Sequence, residues 1–412
     1  ELEDHPKNHF KHEIKLWKER HSPIPEQMWK DDWKSLLQEL RSALKAPAKS
    51  YKELSSFLTI CDDASVAGVR HKFPVESRYP LLRAVTLLED KEKDLLVSVL
   101  KANPRIKKLG ISDTILLMLG EGDYDNWMKE QAPDLIGRNI YHVSSEIWYP
   151  GGGLGRVMQY HGEAIHKLLG PYRDQLRQIE PGYHWRKNEK GDWVPMDYRS
   201  RDVMANPIVT ELEEVERYPI TVGDRTTEAI VKRGKNDLGI WVYLIYDKDG
   251  FFTHPLYNYN DDGTNPQIPT WEQFTEFKCR ALLELYRRQE EKEKAIKGDK
   301  YKAALCHGND AQLSLVWIYA LQDSYIEDGI ARPYADNDII KKTIRAFTTH
   351  TYFNREARAG KDGESRLRAM HVQDKYWDEY FRSNRGSNWE NFYDLTSAGL
   401  RTAALLNKAP GR

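Results

Sequence analysis

A β-prone run, Tyr141-His142-Val143-Ser144-Ser145-Glu146, leads through Trp148 and Pro150 into Gly151-Gly152-Gly153-Leu154-Gly155-Arg156, after which the pattern turns helical. Glycine lacks the Cβ that holds a backbone away from a ligand, and it tolerates positive φ. A helix that begins just past such a loop aims unpaired N–H groups and the positive end of its dipole at whatever sits there. That chemistry suits a phosphate or a sugar hydroxyl. Glycines at 151, 153 and 155 alternate, unlike the G-x-G-x-x-G of dinucleotide sites. From these residues alone, a tight strand-to-helix turn fits as well as a ligand loop. Glu146 is placed to receive the proton of an acceptor hydroxyl or, the favoured reading, to hold the loop by accepting its N–H groups. Two histidines, His307 in His307-Gly308-Asn309-Asp310 and His350 in Thr348-Thr349-His350-Thr351, each follow a short β-prone run.

Such residues need strands that end together. From about Asn139 onward, strands alternate with helices. Residues 139–144, 239–246, 303–306 and 344–348 predict sheet strands, as do 208–210, 220–222 and 229–231; the 239–246 run is the clearest, rich in β-branched and aromatic residues. Residues 153–169, 270 to about 297, and 310–321 predict helices, the last capped by Asn309 or Asp310. Residues 170 to about 206 read as charged sequence interrupted by Gly and Pro. The alternation argues an α/β fold, a Rossmann-like doubly wound parallel sheet. Ligands of such sheets bind outside the carboxyl ends of the strands, where the glycine loop, His307 and His350 all fall. His161 and His166 lie on the first of these helices and read as surface or packing residues.

Residues 1–135 read as a separate all-α domain and 136–412 as the α/β domain. In the first, Trp29, Trp33, Leu36, Leu37, Leu40 and Leu44 recur at helical spacing. Apolar runs at 81–88, 95–100 and 111–119 follow, and Gly120-Glu121-Gly122-Asp123 ends the last of them. The 412-residue chain carries a formal net charge of -1, so no bias points to nucleic acid or to a membrane surface. No apolar run is long enough to predict a membrane span. Cys61, Cys279 and Cys306 are odd in number and scattered, which suits a reducing, cytoplasmic setting. No HExxH, EF-hand loop or cysteine cluster is present, so no protein-bound metal is expected.

Several segments, in order, resemble one family. Val143-Ser144-Ser145-Glu146 followed by Gly152-Gly153-Leu154-Gly155 resembles the opening of glycogen and starch synthases, with its V-S-x-E and K-x-G-G-L-G. Arg156 is similar to the G-G-L-G-R of glycogen phosphorylases. Trp241 to Tyr246, Phe251-Phe252 and Pro255-Leu256-Tyr257 resemble the synthase strand and its F-F-x-R-P-x-L-Y loop. The paired phenylalanines and the R-A-x-L-E-L run within Phe274 to Leu285 resemble the helix that follows. His307-Gly308-Asn309-Asp310 is similar to H-x-H-D, Phe347-Thr348-Thr349-His350 to F-T-x-H, and Asn388 to Lys408 to N-F-x-x-A-G-L-x-x-A.

The resemblance implies the first half of a GT-B glycosyltransferase, in which two Rossmann-like domains face a cleft. In that family the first domain binds the acceptor and carries the glycine loop, and the second holds most of the nucleotide-sugar donor and a paired-glutamate motif. No such motif occurs here, so a fragment of a larger enzyme, or a protein that has lost half its site, is expected. The implied reaction moves a hexose from a nucleotide-diphosphate sugar to the hydroxyl of a glycan or protein acceptor. His307 and His350 would be catalytic, beside the transferred sugar. Gly152, Gly153, Leu154, Gly155, Arg156, Glu146 and Asn309 would line the donor side, and no cofactor beyond the donor substrate is implied. Two departures stand out. Pro150 occupies the place of the synthase lysine, a phosphate partner that Arg156 is near enough to replace. Asn309 replaces the second histidine of H-x-H-D. Residues 1–135 are not a usual part of the synthases. They leave open an effector-type glycosyltransferase whose protein or ribonucleoprotein target they recruit, or a non-catalytic interaction module.

Overall fold

The computed structural model describes residues 33–45, 54, 58, 84–103, 110–147, 153–188, 190–201, 204, 206–253, 259–260, 265–309, 313–348, 358–360, 363–381, 393–394, 398, 401–403 and 406. Gly152, Pro150 and His350 lie outside the described residues, as do the side chains of Leu154 and Arg156. The chain divides into two compact units, Glu1–Glu130 and Gln131–Arg412.

The first unit's described elements are helices: α1 (Trp33–Leu44), α2 (Asp90–Ala102), α3 (Gly110–Met118) and α4 (Tyr124–Gln131, whose last residue opens the second unit). Leu40 and Leu44 of α1, Leu96 and Leu100 of α2, and Ile111 and Ile115 of α3 form its core. Each pair is spaced four apart, which puts both side chains on one helix face. Glu89 and Glu92 close a capping box at the start of α2. Gly120, at φ +79°, ends α3: its N–H donates to the Leu117 carbonyl at 3.1 Å and that of Glu121 to the Leu116 carbonyl at 2.8 Å. This is a Schellman closure, which needs the left-handed backbone that glycine adopts without strain.

The second unit runs β1 (Ile140–Val143), α5 (Gly153–Leu169), β2 (Leu176–Pro181), a small hairpin of β3 (Trp185–Lys187) and β4 (Trp193–Pro195), β5 (Glu213–Val222), β6 (Arg225–Lys235), β7 (Trp241–Asp247), α6 (Trp271–Lys297), β8 (Leu305–Asn309), α7 (Val316–Gln322), the hairpin β9 (Ser324–Glu327) and β10 (Ile330–Pro333), and β11 (Ile344–Thr348). Seven strands make one sheet in the order β11-β8-β1-β2-β7-β6-β5. The strands from β11 to β7 are parallel, and β6 and β5 extend the sheet as an antiparallel hairpin. The α/β class expected from the sequence is what the chain adopts. The predicted strands at 220–222 and 229–231 turn out to be parts of that long hairpin. Gly223, at φ +55°, supplies the positive φ at the first position of its two-residue turn. The predicted strand at 208–210 reduces to a single bridge between Ile208 and Asn236.

The chain winds outward from β1 through β2 to β7, then crosses back on α6 to β8 and β11. The direction of winding therefore reverses between β1 and β8, which makes their carboxyl ends the switch point of the sheet. Alternate residues on each strand point to opposite faces. One face carries Tyr141, Val143, Ile179, Tyr243, Ile245 and Cys306 against Phe277, Leu282, Leu285 and Tyr286 of α6. The other lies under α5, which turns Gly155, Met158, Gln159, Gly162, His166 and Leu169 inward. Thr270 caps α6 by accepting from the Gln273 N–H, and Gln273 returns the bond. No described helix is long and apolar enough to cross a membrane.

Candidate functional site

Three imidazoles meet under α5 at the switch point. His142 of β1 and His307 of β8 are register partners on adjacent parallel strands, so both point to the same face. His161 comes down onto them from α5: its Nδ1 lies 3.1 Å from His142 Nε2. Ring centroids are 4.9 Å apart for His142 and His161, 5.6 Å for His161 and His307, and 5.7 Å for His142 and His307. His142 is fully buried and the other two are half-buried. On the next strand, β11, Thr348 Oγ1 sits 2.7 Å from His307 Nε2. The neighbouring inward positions of β2, Gln178 and Glu180, are also polar and each only 1% exposed.

The helix reaches this depth because of Gly162. A Cβ there would land on the Nε2 of Gln178, so α5 lies against β2 at the residue next to His161.

The segment leaving β1 is held from four directions. Asn309 Nδ2 donates to the Val143 carbonyl at 3.0 Å, and Lys278 Nζ to Ser145 Oγ at 2.6 Å. Tyr183 OH donates to the Ser145 carbonyl at 2.8 Å, and Gln159 Nε2 to that of Ile147 at 2.7 Å. Burial keeps the Tyr183 phenol well above its ordinary pKa, so it stays a donor. Glu146 is 2% exposed within this clasped turn, its N–H 3.4 Å from Ser144 Oγ. Gly153 opens α5, so the helix starts where the sequence placed its start.

The sequence-predicted residues thus fall into groups. His307, Asn309, Glu146, Gly153 and Gly155 gather around the ends of β1 and β8 and the start of α5. Asn309 is the last residue of β8, and its amide spans to β1 and also reaches the His307 carbonyl at 3.3 Å; Asp310 and the start of the helix that either residue was expected to cap lie outside the described residues. The α-helix α7 begins at Val316. His350 and Gly152 belong to segments outside the described residues. His161, expected to be a surface or packing residue, faces His142. His142, Lys278, Gln178 and Glu180 drew no functional expectation. The signal for His142 was present: a histidine amid Ile140, Tyr141 and Val143, in a strand buried along its whole length. The two free cysteines among the described residues are Cys279 and Cys306. Burial pushes both thiols up to about 12, which leaves them inert as nucleophiles.

No protein-family model and no curated protein matches the sequence. Among solved structures the chain is similar to the catalytic domain of starch synthase IV from Arabidopsis thaliana bound to ADP and acarbose, at 16% identity and a TM-score of 0.41. The match covers 64% of this chain and 43% of that one, so the chain spans less than half the length of that structure.

Proposed function

We propose that the Gln131–Arg412 unit is the acceptor-side half of a glycosyltransferase that moves a hexose from a nucleotide-diphosphate sugar to an acceptor hydroxyl. One observation carries this reading. The V-S-x-E segment ending β1, the H-x-H-D-like segment of β8 and the F-T-x-H segment of β11 lie far apart in sequence, yet occupy three neighbouring parallel strands and share one carboxyl edge. Unrelated weak matches have no reason to converge on the switch point of a sheet.

In this reading, His307 hydrogen-bonds the transferred sugar and fixes the reacting centre, with Thr348 orienting its ring. The resemblance assigns His350, which follows β11 in sequence, to the same sugar. Gly153 and Gly155 at the start of α5 bring backbone N–H groups and the helix dipole to the departing diphosphate, and the resemblance adds Gly152, Leu154 and Arg156 to that side. Asn309, bonded to the Val143 carbonyl, and Glu146, buried just past it, fix the end of β1 on the donor side. A donor-binding partner half closing over this edge would exclude water and align the acceptor hydroxyl with the anomeric carbon.

The test is hydrolysis of, or transfer from, a panel of UDP-, ADP- and GDP-sugars by the whole protein, with His307→Ala and Gly153→Trp as controls. Turnover of one donor that both substitutions abolish supports the assignment. No turnover, together with no calorimetric binding of any donor, overturns it.

A further inference from the structure

The three imidazoles also form a cluster that shares His307 with the proposed transfer but can be tested without turnover. One ring nitrogen from each of His142, His161 and His307 lies within 4.8 Å of the other two. Metal–imidazole bonds of about 2.0–2.1 Å in a tetrahedral site set ligand nitrogens about 3.3–3.4 Å apart. The His142 Nε2 to His161 Nδ1 distance of 3.1 Å is already close to that edge. The rings do not stack as apolar plates. Both pairs involving His161 are edge-on, at interplanar angles of 81° and 90°.

The ligand-bearing elements are rigid. Two of the rings stand in register on paired central strands, and the third sits on a 17-residue helix drawn onto the sheet at Gly162. Thr348 against His307 Nε2 is the kind of outer partner that fixes an imidazole's tautomer and orientation. Aliphatic side chains would fill this layer at lower cost, because each buried imidazole must find partners for its nitrogens.

We propose that His142, His161 and His307 bind a divalent transition-metal ion of the zinc class. Three neutral nitrogen donors favour Zn²⁺, Co²⁺, Ni²⁺ or Cu²⁺ over Mg²⁺ and Ca²⁺, which require oxygen ligands. Without an ion, one proton is shared between His142 Nε2 and His161 Nδ1. On binding, the ring that holds this proton carries it on its other nitrogen, and both lone pairs face the ion. Three protein ligands leave a fourth position open to a group from solution.

The test is calorimetric titration of the untagged, chelator-treated whole chain with ZnCl₂ and, separately, with MgCl₂. Anomalous scattering at the zinc edge would locate the ion. One Zn²⁺ site per chain and no Mg²⁺ binding are expected. His161→Ala, on the helix surface of the cluster, should weaken Zn²⁺ binding by at least about 100-fold, beyond what loss of an outer partner costs. Its far-UV circular dichroism should stay unchanged, and its urea midpoint should fall less than that of a core variant. His184→Ala, at an exposed histidine, should leave the affinity as it is. Should His142→Ala fail to fold, His161→Ala still decides. Absence of Zn²⁺ binding, or a site whose affinity survives His161→Ala, overturns the proposal. Both readouts are independent of turnover, so failure here is distinguishable from failure of the transferase reading.

Discussion

The two faces of the central sheet are built from the same strands and to opposite ends. On the α6 face, Tyr141, Val143, Ile179 and Cys306 meet Phe277, Leu282, Leu285 and Tyr286 in an apolar layer. Its buried acid Glu290 is enclosed by donors: Asn139 Nδ2 at 2.7 Å, and the hydroxyls of Tyr141 and Tyr301, each at 2.8 Å. On the α5 face, the alternate positions of β1, β2 and β8 hold His142, Gln178, Glu180 and His307, and the helix answers with His161. This face is apolar toward β7, where Val242 and Leu244 pack with Ile147 and Met158, and at the amino ends of β1 and β2, where Ile140 and Leu176 are buried. One face is spent on cohesion and the other on holding polar groups in fixed positions. Substitutions on the two faces should therefore fail differently.

The largest loss is expected on the α6 face. Phe277 stacks on Phe252 with centroids 5.0 Å apart. Phe277→Ala should cost about 3–5 kcal/mol as the ring's burial is lost and a cavity opens. His161→Ala, across the sheet, should cost less, about 1–3 kcal/mol, because it removes one hydrogen-bond partner of the buried His142, while it weakens metal binding most. Urea unfolding of both variants checks the contrast, and equal losses would break it.

Next comes Glu284 on the outer side of α6. Burial alone would raise its pKa, but hydrogen bonds from Arg287, at 2.7 and 3.0 Å, and from Tyr334, at 2.6 Å, bring the carboxyl below its ordinary value. Glu284→Gln leaves the buried Arg287 guanidinium with Glu291, at 2.5 Å, as its remaining acid and should cost about 1–3 kcal/mol at neutral pH. A depressed carboxyl pKa stabilises the fold above the unfolded-state value of 4.5 and ceases to do so as pH falls through the folded-state value. The gap between wild type and variant should therefore be full at pH 7 and close on acidification. A gap independent of pH would show that the ion pair is not its source.

Gly162→Ala is a finer probe of the α5 face. Helix propensity alone would favour alanine by about 1 kcal/mol. The collision of the new methyl group with Gln178 should cost about 1–3 kcal/mol. A net loss of about 1 kcal/mol, with α5 lifted and metal affinity weakened, is expected from urea unfolding and calorimetry. A stabilised variant would mean that the helix does not need its close approach. The smallest effect should come from Thr348→Val, which removes one half-buried hydrogen bond to His307 worth about 0.5–1.5 kcal/mol. Its mark should be on His307-dependent binding more than on the unfolding midpoint.

The sequence by itself determined the elements whose signal is local. Residues 153–169 and 344–348 are the helix and strand their patterns predict. The capped, striped helix from Trp271 and the strand from Trp241 follow from side chains a few positions apart. It determined the order of the motif-like segments as well, though not that they share an edge. Tertiary structure decided β2. Leu176-Arg177-Gln178-Ile179-Glu180-Pro181 has too few aliphatics to read as a strand, and it is central only because β1 and β7 flank it and its polar side chains have a polar layer to enter. The imidazole cluster was decided in the same way. His142, His161 and His307 carry no spacing signal, since parallel pairing and the seating of a helix brought them together, and those are contacts between residues that a linear period cannot register.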